Sequence, residues 1–540
     1  MRKRGEDMKT IFKNGRIHTM NGGEIVDSIS VEDGRIVSDD YVPEDGRIRE
    51  VDLCKKTVIP AFHDSHQHFL CYATDKEKIN FFDAKSLADM EYLTKKYMKE
   101  KDIKKGQWIQ GGGWNENNFE DPILPTRRDL DKFCPDNPAI FTRACCSVAV
   151  ANTLALKEAG IFENPPQMDD GLIVTDEDGV PTGMLNERAR FLIYDILTKY
   201  SKDELKGFIL DYQKDLLKAG LTTVQTDDFK LWDASIKDIL DAYRELDKEG
   251  KLKVRFIQQL RLINMQELNY YLADGNVTGE GSEFFKIGAF KLLPDGSLGG
   301  KTAALREPYA NDGENRGIFV YDEREFYELL EKAHTSGLQL AIHAIGDRTM
   351  DVILNCYEEL AAKYPKADPR FRIIHCQITG EDTLDRFARD HVLADIQPLF
   401  IRADMEVAEE LIGKERLSTS YNWKTMLEKG IHVSGSSDAP VESFDPMLAI
   451  HCAVTSTNLQ GEPEGGWMPD QRLTVQEAVD LYTTGSAYTA YEEEYKGKLK
   501  EGYLADFIVL SDDIFSIDEK EILSVKVEKT FLGGEEVYSC

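Results

Sequence analysis

LQLAIHAIGDRTMDVILNCYEELAAKYPKADPRFRIIHCQ, residues 338–377, reads as a strand, a helix and a second strand. LQLAIHA (338–344) is a short apolar run that follows Gly337, and FRIIHCQ (371–377) is another. Between them TMDVILNCYEELAAKY (349–364) repeats its apolar residues with helical period. Two apolar runs joined by an amphipathic helix form a parallel β-α-β unit. Both runs carry a histidine near their ends, His343 and His375.

The pattern extends in both directions. Further runs are KTVIPAFHD (56–64), LTTVQT (221–226), KVRFIQQL (253–260), FKIGAFKLL (285–293), VLADIQP (392–398) and IHVSGSSD (431–438). Helical stretches are expected at 203–220, 234–250 and 323–337, with Gly220, Gly250 and Gly337 at their stops. Eight strand-then-helix units in one chain predict an α/β fold, a closed (β/α)8 TIM-type barrel. An open doubly wound sheet is the alternative, but no G-x-G-x-x-G follows the first strand. The first sixty residues hold Asn-Gly and Asp-Gly turn signals, in TIFKNGRIHTM (10–20) and SISVEDGRIVSD (28–39), which read as β-hairpins. ADFIVL (505–510) and KTFLGGEEVYS (529–539) answer them at the other end. The expected organisation is a small β-sandwich from residues 1–60 and 490–540 around a barrel at 61–489. The stretch 72–202 is too long for a crossover and is expected to be an inserted subdomain that reaches over the barrel mouth.

Composition narrows the function. The chain has 540 residues, is 41% hydrophobic and 30% charged, and has a net charge of −31. Such an acidic balance excludes a general nucleic-acid binder and disfavours anionic membranes. No apolar run reaches the ~20 residues of a membrane span. Nine cysteines in no C-x-x-C pair, with Cys145 and Cys146 adjacent, read as reduced thiols. MRKRGEDMKT lacks an apolar segment behind it, so no secretory signal is expected and the cytoplasm is the default location. The partner class is a small-molecule substrate. A homodimer is compatible with the composition, but no patch for one is legible.

Barrel chemistry sits at the C-terminal ends of the strands. His66 and His68 follow the first strand two apart, a spacing that turns both imidazoles to one side. Lys291, His343, His375 and Asp438 end strands four, five, six and eight. Singly, each has an ordinary structural reading: a hydrogen-bonded core histidine, a surface lysine, an aspartate that caps a turn. Jointly, four of ten histidines on one rim with a carboxylate suit a divalent metal, Zn2+ first, with Mn2+ or Fe2+ as alternatives. His18, His334, His391, His432 and His451 take structural readings, and His63 has the wrong parity to join the pair.

These motifs together resemble the amidohydrolase superfamily, and more narrowly its YtcJ-like branch, which includes N-substituted formamide deformylases. The resemblance rests on VIPAFHDSHQH (58–68), KLLPDGSLGG (291–300), IHAIGDRT (342–349), RIIHCQ (372–377) and SGSSDAPV (434–441). GGGWNENNF (111–119), PTRRDLDKF (125–133), DGVPTGMLNERA (178–189) and GKLKEGYLADFIVL (497–510) support it. It implies one or two metal ions. His66 and His68 would hold the more buried ion. His343 and His375 would hold a second, or His375 would touch substrate. Asp438 would bind metal and take the proton of the attacking water, and Lys291 would join as a ligand only if carbamylated. Trp114, Asn115, Glu187, Asp295 and Gln397 are the expected substrate contacts, with Glu116 and Arg143 as weaker ones. The chain departs from the family at Ser147, where a histidine is usual, and at Ile374, where a glutamate is usual. The implied reaction is hydrolysis of a non-peptide C–N bond in an amide or formamide. A one-metal deaminase of the same superfamily and a non-catalytic metal-binding barrel are the alternatives.

Overall fold

Eight strands make the barrel: β1 (Phe62–Gln67), β2 (Leu221–Thr226), β3 (Arg255–Arg261), β4 (Phe285–Leu292), β5 (Leu340–Ala344), β6 (Arg372–His375), β7 (Leu393–Ile396) and β8 (Val433–Gly435). They lie side by side in chain order, every pair parallel. The structure is a computed structural model that describes residues 8–42, 47–144, 148–168, 171–197, 199–230 and 234–540. Hydrogen bonds from β8 and the residues after it return to β1. Asp438 N–H donates to His66 O (2.9 Å), His68 N–H to Ala439 O (2.7 Å), and Ser65 Oγ to Gly435 O (3.0 Å). Asp64 ties the same seam: it accepts from the N–H groups of His66 and Ser437 (both 3.1 Å) and from Ser437 Oγ (2.5 Å).

The expected helices are present at Lys202–Lys218, Ile236–Lys248, Glu323–Thr335 and Asp347–Lys363. Asp322 caps the third by accepting from Arg324 and Glu325 N–H (3.0 and 3.2 Å), and Gly337 ends it at φ +93°. His334 takes its structural reading there, with Nε2 donating to Tyr364 O (3.0 Å).

The first expected strand is divided. Thr57–Pro60 leaves the barrel and pairs antiparallel with Phe507–Leu510 and parallel with Arg16–His18. β1 starts afresh at Phe62, whose N–H donates to Gly220 O (2.9 Å). His66 is therefore inside β1 and only His68 follows it.

The terminal segments build two sheets. One has the order Arg35–Val37, Ile29–Glu32, Lys9–Lys13, Ile48–Asp52. The other runs Glu535–Ser539, Val527–Leu532, Phe507–Leu510, Thr57–Pro60, Arg16–His18, Ile25–Val26. They share one apolar core in which Phe12 meets Phe507 and Phe531 edge-on at 4.9 and 5.2 Å, and those two stack at 4.5 Å. Asp33-Gly34 makes the expected hairpin, both residues at positive φ. Asn14-Gly15 does not: its flanking strands belong to opposite sheets. A Cβ on Gly15 would stand 2.7 Å from Leu53 Cδ1, so any larger residue there would have to displace that side chain.

The barrel and terminal sheets belong to one compact unit, Met1–Phe69, Leu210–Lys230 and Tyr243–Cys540. Leu70–Ile209 with Leu231–Ala242 is a second. It contains a six-stranded sheet ordered Gly171–Thr175, Pro181–Glu187, Val148–Ala151, Ala139–Arg143, Ile109–Trp114, Ile79–Asn80. Its core includes Phe81, Trp114, Phe133 and Phe141. Among the described residues no helix is long and apolar enough to cross a membrane.

Candidate metal centre

The barrel interior below the site is polar. Arg372 and Asp395, both fully buried, pair at 2.5 Å. Arg372 also donates to Gln225 Oε1 (2.6 Å) and Ser65 O (3.0 Å). This network braces β1, β2, β6 and β7 directly beneath the residues that follow.

His66 is held by Gln259 on β3. Gln259 Nε2 donates to Ser65 O (3.1 Å), which turns its Oε1 toward His66 Nδ1 at 2.6 Å. The His66 proton is thereby assigned to Nδ1, leaving a lone pair on Nε2. His68 Nδ1 donates to the carbonyl of Asp227 (2.8 Å), which frees its Nε2 in the same way. Burial, reinforced by the Lys291 charge, pushes the His66 pKa down to about 3, so the ring is a neutral donor of its lone pair.

Asp438 Oδ1 faces both lone pairs, 3.2 Å from His66 Nε2 and 3.0 Å from His68 Nε2, yet has no hydrogen-bond partner among the described residues. Three lone-pair atoms lie within 4.8 Å of one another, all on buried residues. Such an arrangement is repulsive without a positive centre; the Lys291 amine, 3.2 Å from His66 Nε2, meets the first of these lone pairs. Two imidazole nitrogens and a carboxylate oxygen are the donor set that a divalent metal accepts, and the tautomers already present it. These residues fit the ion.

His375 and His343 stand beside this group. His375 Nδ1 donates to Gln397 Oε1 (2.7 Å), and Gln397 Nε2 in turn donates to Ser436 Oγ (2.7 Å). Burial, then the neighbouring His343, hold the His375 pKa well below its ordinary value. Phe400 stacks on its ring at 6.0 Å. The His343 and His375 ring centres are 4.4 Å apart, and His375 is 6.0 Å from His66. His343 Nε2 is 3.0 Å from Asp295 Oδ1 and 3.1 Å from Gly296 O, which leaves Nδ1 as its other nitrogen. Lys291, buried on β4, has Nζ 3.2 Å from His66 Nε2. Burial pulls its pKa down to about 7 against the attraction of Asp227 and Asp438. Backbone strain gathers here too: His375 and Asp438 sit at φ +83° and +56°.

The expected substrate contacts fare differently. Asp295 is occupied by the N–H groups of Ala304 (3.0 Å), Ile345 (3.3 Å) and Gly346 (2.9 Å) and by Thr349 Oγ1 (2.8 Å), besides its approach to His343. Asp295 and Gln397 thus each engage a histidine of the site, His343 and His375. Trp114 is fully buried in the core of the second unit, its Nε1 donating to Phe141 O (2.9 Å). Asn115 accepts from Asn117 N–H and Arg143 Nη2 (both 3.1 Å), and Glu116 grips Arg143 at 2.8 and 3.0 Å. Glu187 is exposed, at φ +50°. Ile374 packs with Ala289 and Ala341 in a small apolar cluster. Cys145, Cys146 and Ser147 lie outside the described residues.

Gln259 and Asp227 were not legible as site residues. The available signal was a polar residue at the ends of the second and third strands.

A family model described as the amidohydrolase family matches residues 49–538. YtcJ of Bacillus subtilis (strain 168) is 34% identical over 98% of this chain and 99% of its own. The N-substituted formamide deformylase of Arthrobacter pascens is 26% identical over 90% of this chain and 89% of its own. An uncharacterized metal-dependent hydrolase from Pyrococcus horikoshii OT3 superposes with a TM-score of 0.78 at 28% identity, covering 95% of this chain and 99% of that one.

Proposed function

Since the chain belongs to the amidohydrolase family, we propose that it is a metal-dependent hydrolase of a non-peptide C–N bond, in an amide or an N-substituted formamide. The observation that carries this reading is the convergence of His66 Nε2, His68 Nε2 and Asp438 Oδ1 with their lone pairs facing one another. The likeness to a formamide deformylase supports the bond class.

When bound, a divalent ion, with zinc the first choice for this donor set, supplies the Lewis acidity that acidifies water and polarises a carbonyl. Asp438 accepts the proton of the attacking water and returns it to the leaving nitrogen, a base that becomes an acid. Gln259 and the Asp227 carbonyl keep the His66 and His68 tautomers fixed throughout. His375, kept neutral by burial, offers Nε2 to the substrate or to a second ion. Lys291 as an amine has no role as a bridge between ions; as a carbamate it becomes an anion that can bridge two.

Turnover of a panel of N-formyl and N-acyl amines by protein loaded with Zn2+, Mn2+ or Fe2+ tests the proposal. Release of a free amine by the unsubstituted chain, reduced about 10²–10⁴-fold in Asp438→Asn, is expected. No cleavage of any C–N substrate with any of the three metals would overturn it.

A further inference from the structure

Asp227 directly follows β2, and its side chain is fully buried. Its backbone is used on both sides: N–H donates to Gln67 O (2.7 Å) and the carbonyl accepts from His68 Nδ1 (2.8 Å). Its carboxylate is different. Among the described residues neither oxygen has a hydrogen-bond partner. The next residue shows the contrast, because Asp228 accepts from Thr226 Oγ1 (2.8 Å) and Tyr243 OH (2.6 Å). Asp227 attracts the buried Lys291 amine, and its Oδ2 lies 3.8 Å from Nδ1 of the His68 ring.

A buried carboxylate with no donor is costly unless a positive charge meets it. Here that charge is one bond network away, on the far nitrogen of the same imidazole. A divalent ion on His66, His68 and Asp438 carries two positive charges against one ligand carboxylate, so one positive charge is left over. Asp227 lies behind His68 where it can balance that charge. The His68 Nδ1–H is already aimed at this residue, through its carbonyl.

We propose that Asp227 is a positioning residue of the metal centre, which orients His68 and supplies the second negative charge that retains a divalent ion. This rests on the reading that His66, His68 and Asp438 hold the metal. Asp227 touches neither ion nor substrate. It acts on His68, orienting the ring through its backbone carbonyl, while its carboxylate contributes charge behind the ring. Its burial without a hydrogen-bond donor among the described residues disfavours the metal-free protein, and the bound ion offsets that cost.

The test compares metal-free and zinc-loaded full-length protein, unsubstituted and Asp227→Asn. Two readouts are needed: the zinc dissociation constant by chelator competition, and the melting temperature of each form. Asp227→Asn removes the charge and keeps the shape. Zinc binding about 10–100-fold weaker is expected. The metal-free variant should melt at or above the unsubstituted protein, while its gain in melting temperature on zinc loading shrinks. A residue that served only packing would lower both forms together. Unchanged zinc affinity in Asp227→Asn, or equal loss of stability in both forms, would overturn the proposal. If the unsubstituted chain bound no zinc, manganese or iron at all, the underlying metal reading would fall as well.

Discussion

The backbone N–H of Asp438 donates to the carbonyl of His66 at 2.9 Å, across the seam where β8 meets β1. The bond that closes the barrel thus joins two of the residues whose side chains converge. Asp64 pins the same seam from below. Closure and ligand placement are one event: when β8 docks on β1, Asp438 Oδ1 arrives 3.2 Å from His66 Nε2. The positive φ of Asp438 fits a residue whose conformation is imposed by its surroundings.

Gln259 should matter to metal affinity although it touches no ion. It accepts the His66 Nδ1 proton and is itself fixed by Ser65. Gln259→Leu frees the ring to rotate or to change tautomer. Metal affinity about 10–100-fold weaker, with little change in fold by circular dichroism, is expected. Unaltered affinity would mean that the His66 ring is held by something else.

Arg372 and Asp395 form a fully buried ion pair inside the barrel. Arg372→Met strands the Asp395 carboxylate, although Ser434 Oγ still donates to it. The cost of an unpaired buried charge is about 3–5 kcal/mol. Chemical denaturation of the variant should show a lower midpoint by that measure. Arg372→Met paired with Asp395→Leu should recover part of the loss.

The eight-strand barrel and the sheets built from both ends of the chain were legible in the sequence, because apolar runs survive any detail of packing; of the six expected ligands, His66, His68 and Asp438 come together at one point. What failed was local. KTVIPAFHD reads as one strand, but Pro60 pairs in the terminal sheet and Phe62 in the barrel. Periodicity cannot show that a continuous apolar run serves two sheets. Asn14-Gly15 has hairpin chemistry, yet its strands part because Phe12 and Ile17 both have to reach the core between the sheets. Asp295 and Gln397 were legible as polar residues of the rim, but their partners were not: which way a polar side chain is engaged depends on residues distant in sequence, Thr349 for one and Ser436 for the other. Trp114 in GGGWNENNF was placed by motif and not by burial.

Asp404 gives stability a dependence on pH. Burial pushes its carboxyl up to about 6, against hydrogen bonds from Tyr421 and Gln377. The folded state then holds a proton that the unfolded chain, near 3.9, has already released. Stability contributed by this proton is present below about pH 4 and is lost as pH rises through about 6. Asp404→Asn should therefore be more stable than the unsubstituted protein at pH 8, by at most about 3 kcal/mol, with the difference gone near pH 4. A difference that persisted unchanged into acid would rule out this linkage.

Lys291 distinguishes one ion from two. If it is a carbamate, protein prepared and metal-loaded without carbon dioxide should take up one equivalent of zinc, and added bicarbonate should raise this to two. Lys291→Met should stay at one under both conditions. Two equivalents in the bicarbonate-free protein would exclude the carbamate as the bridging ligand.

The position of the ion decides most. Crystals of the full chain grown with zinc and measured on both sides of the zinc absorption edge should show an anomalous peak about 2.0–2.2 Å from His66 Nε2, His68 Nε2 and Asp438 Oδ1. A peak held by other residues, or crystals of active protein with no peak among these three atoms, would refute the assignment of the centre.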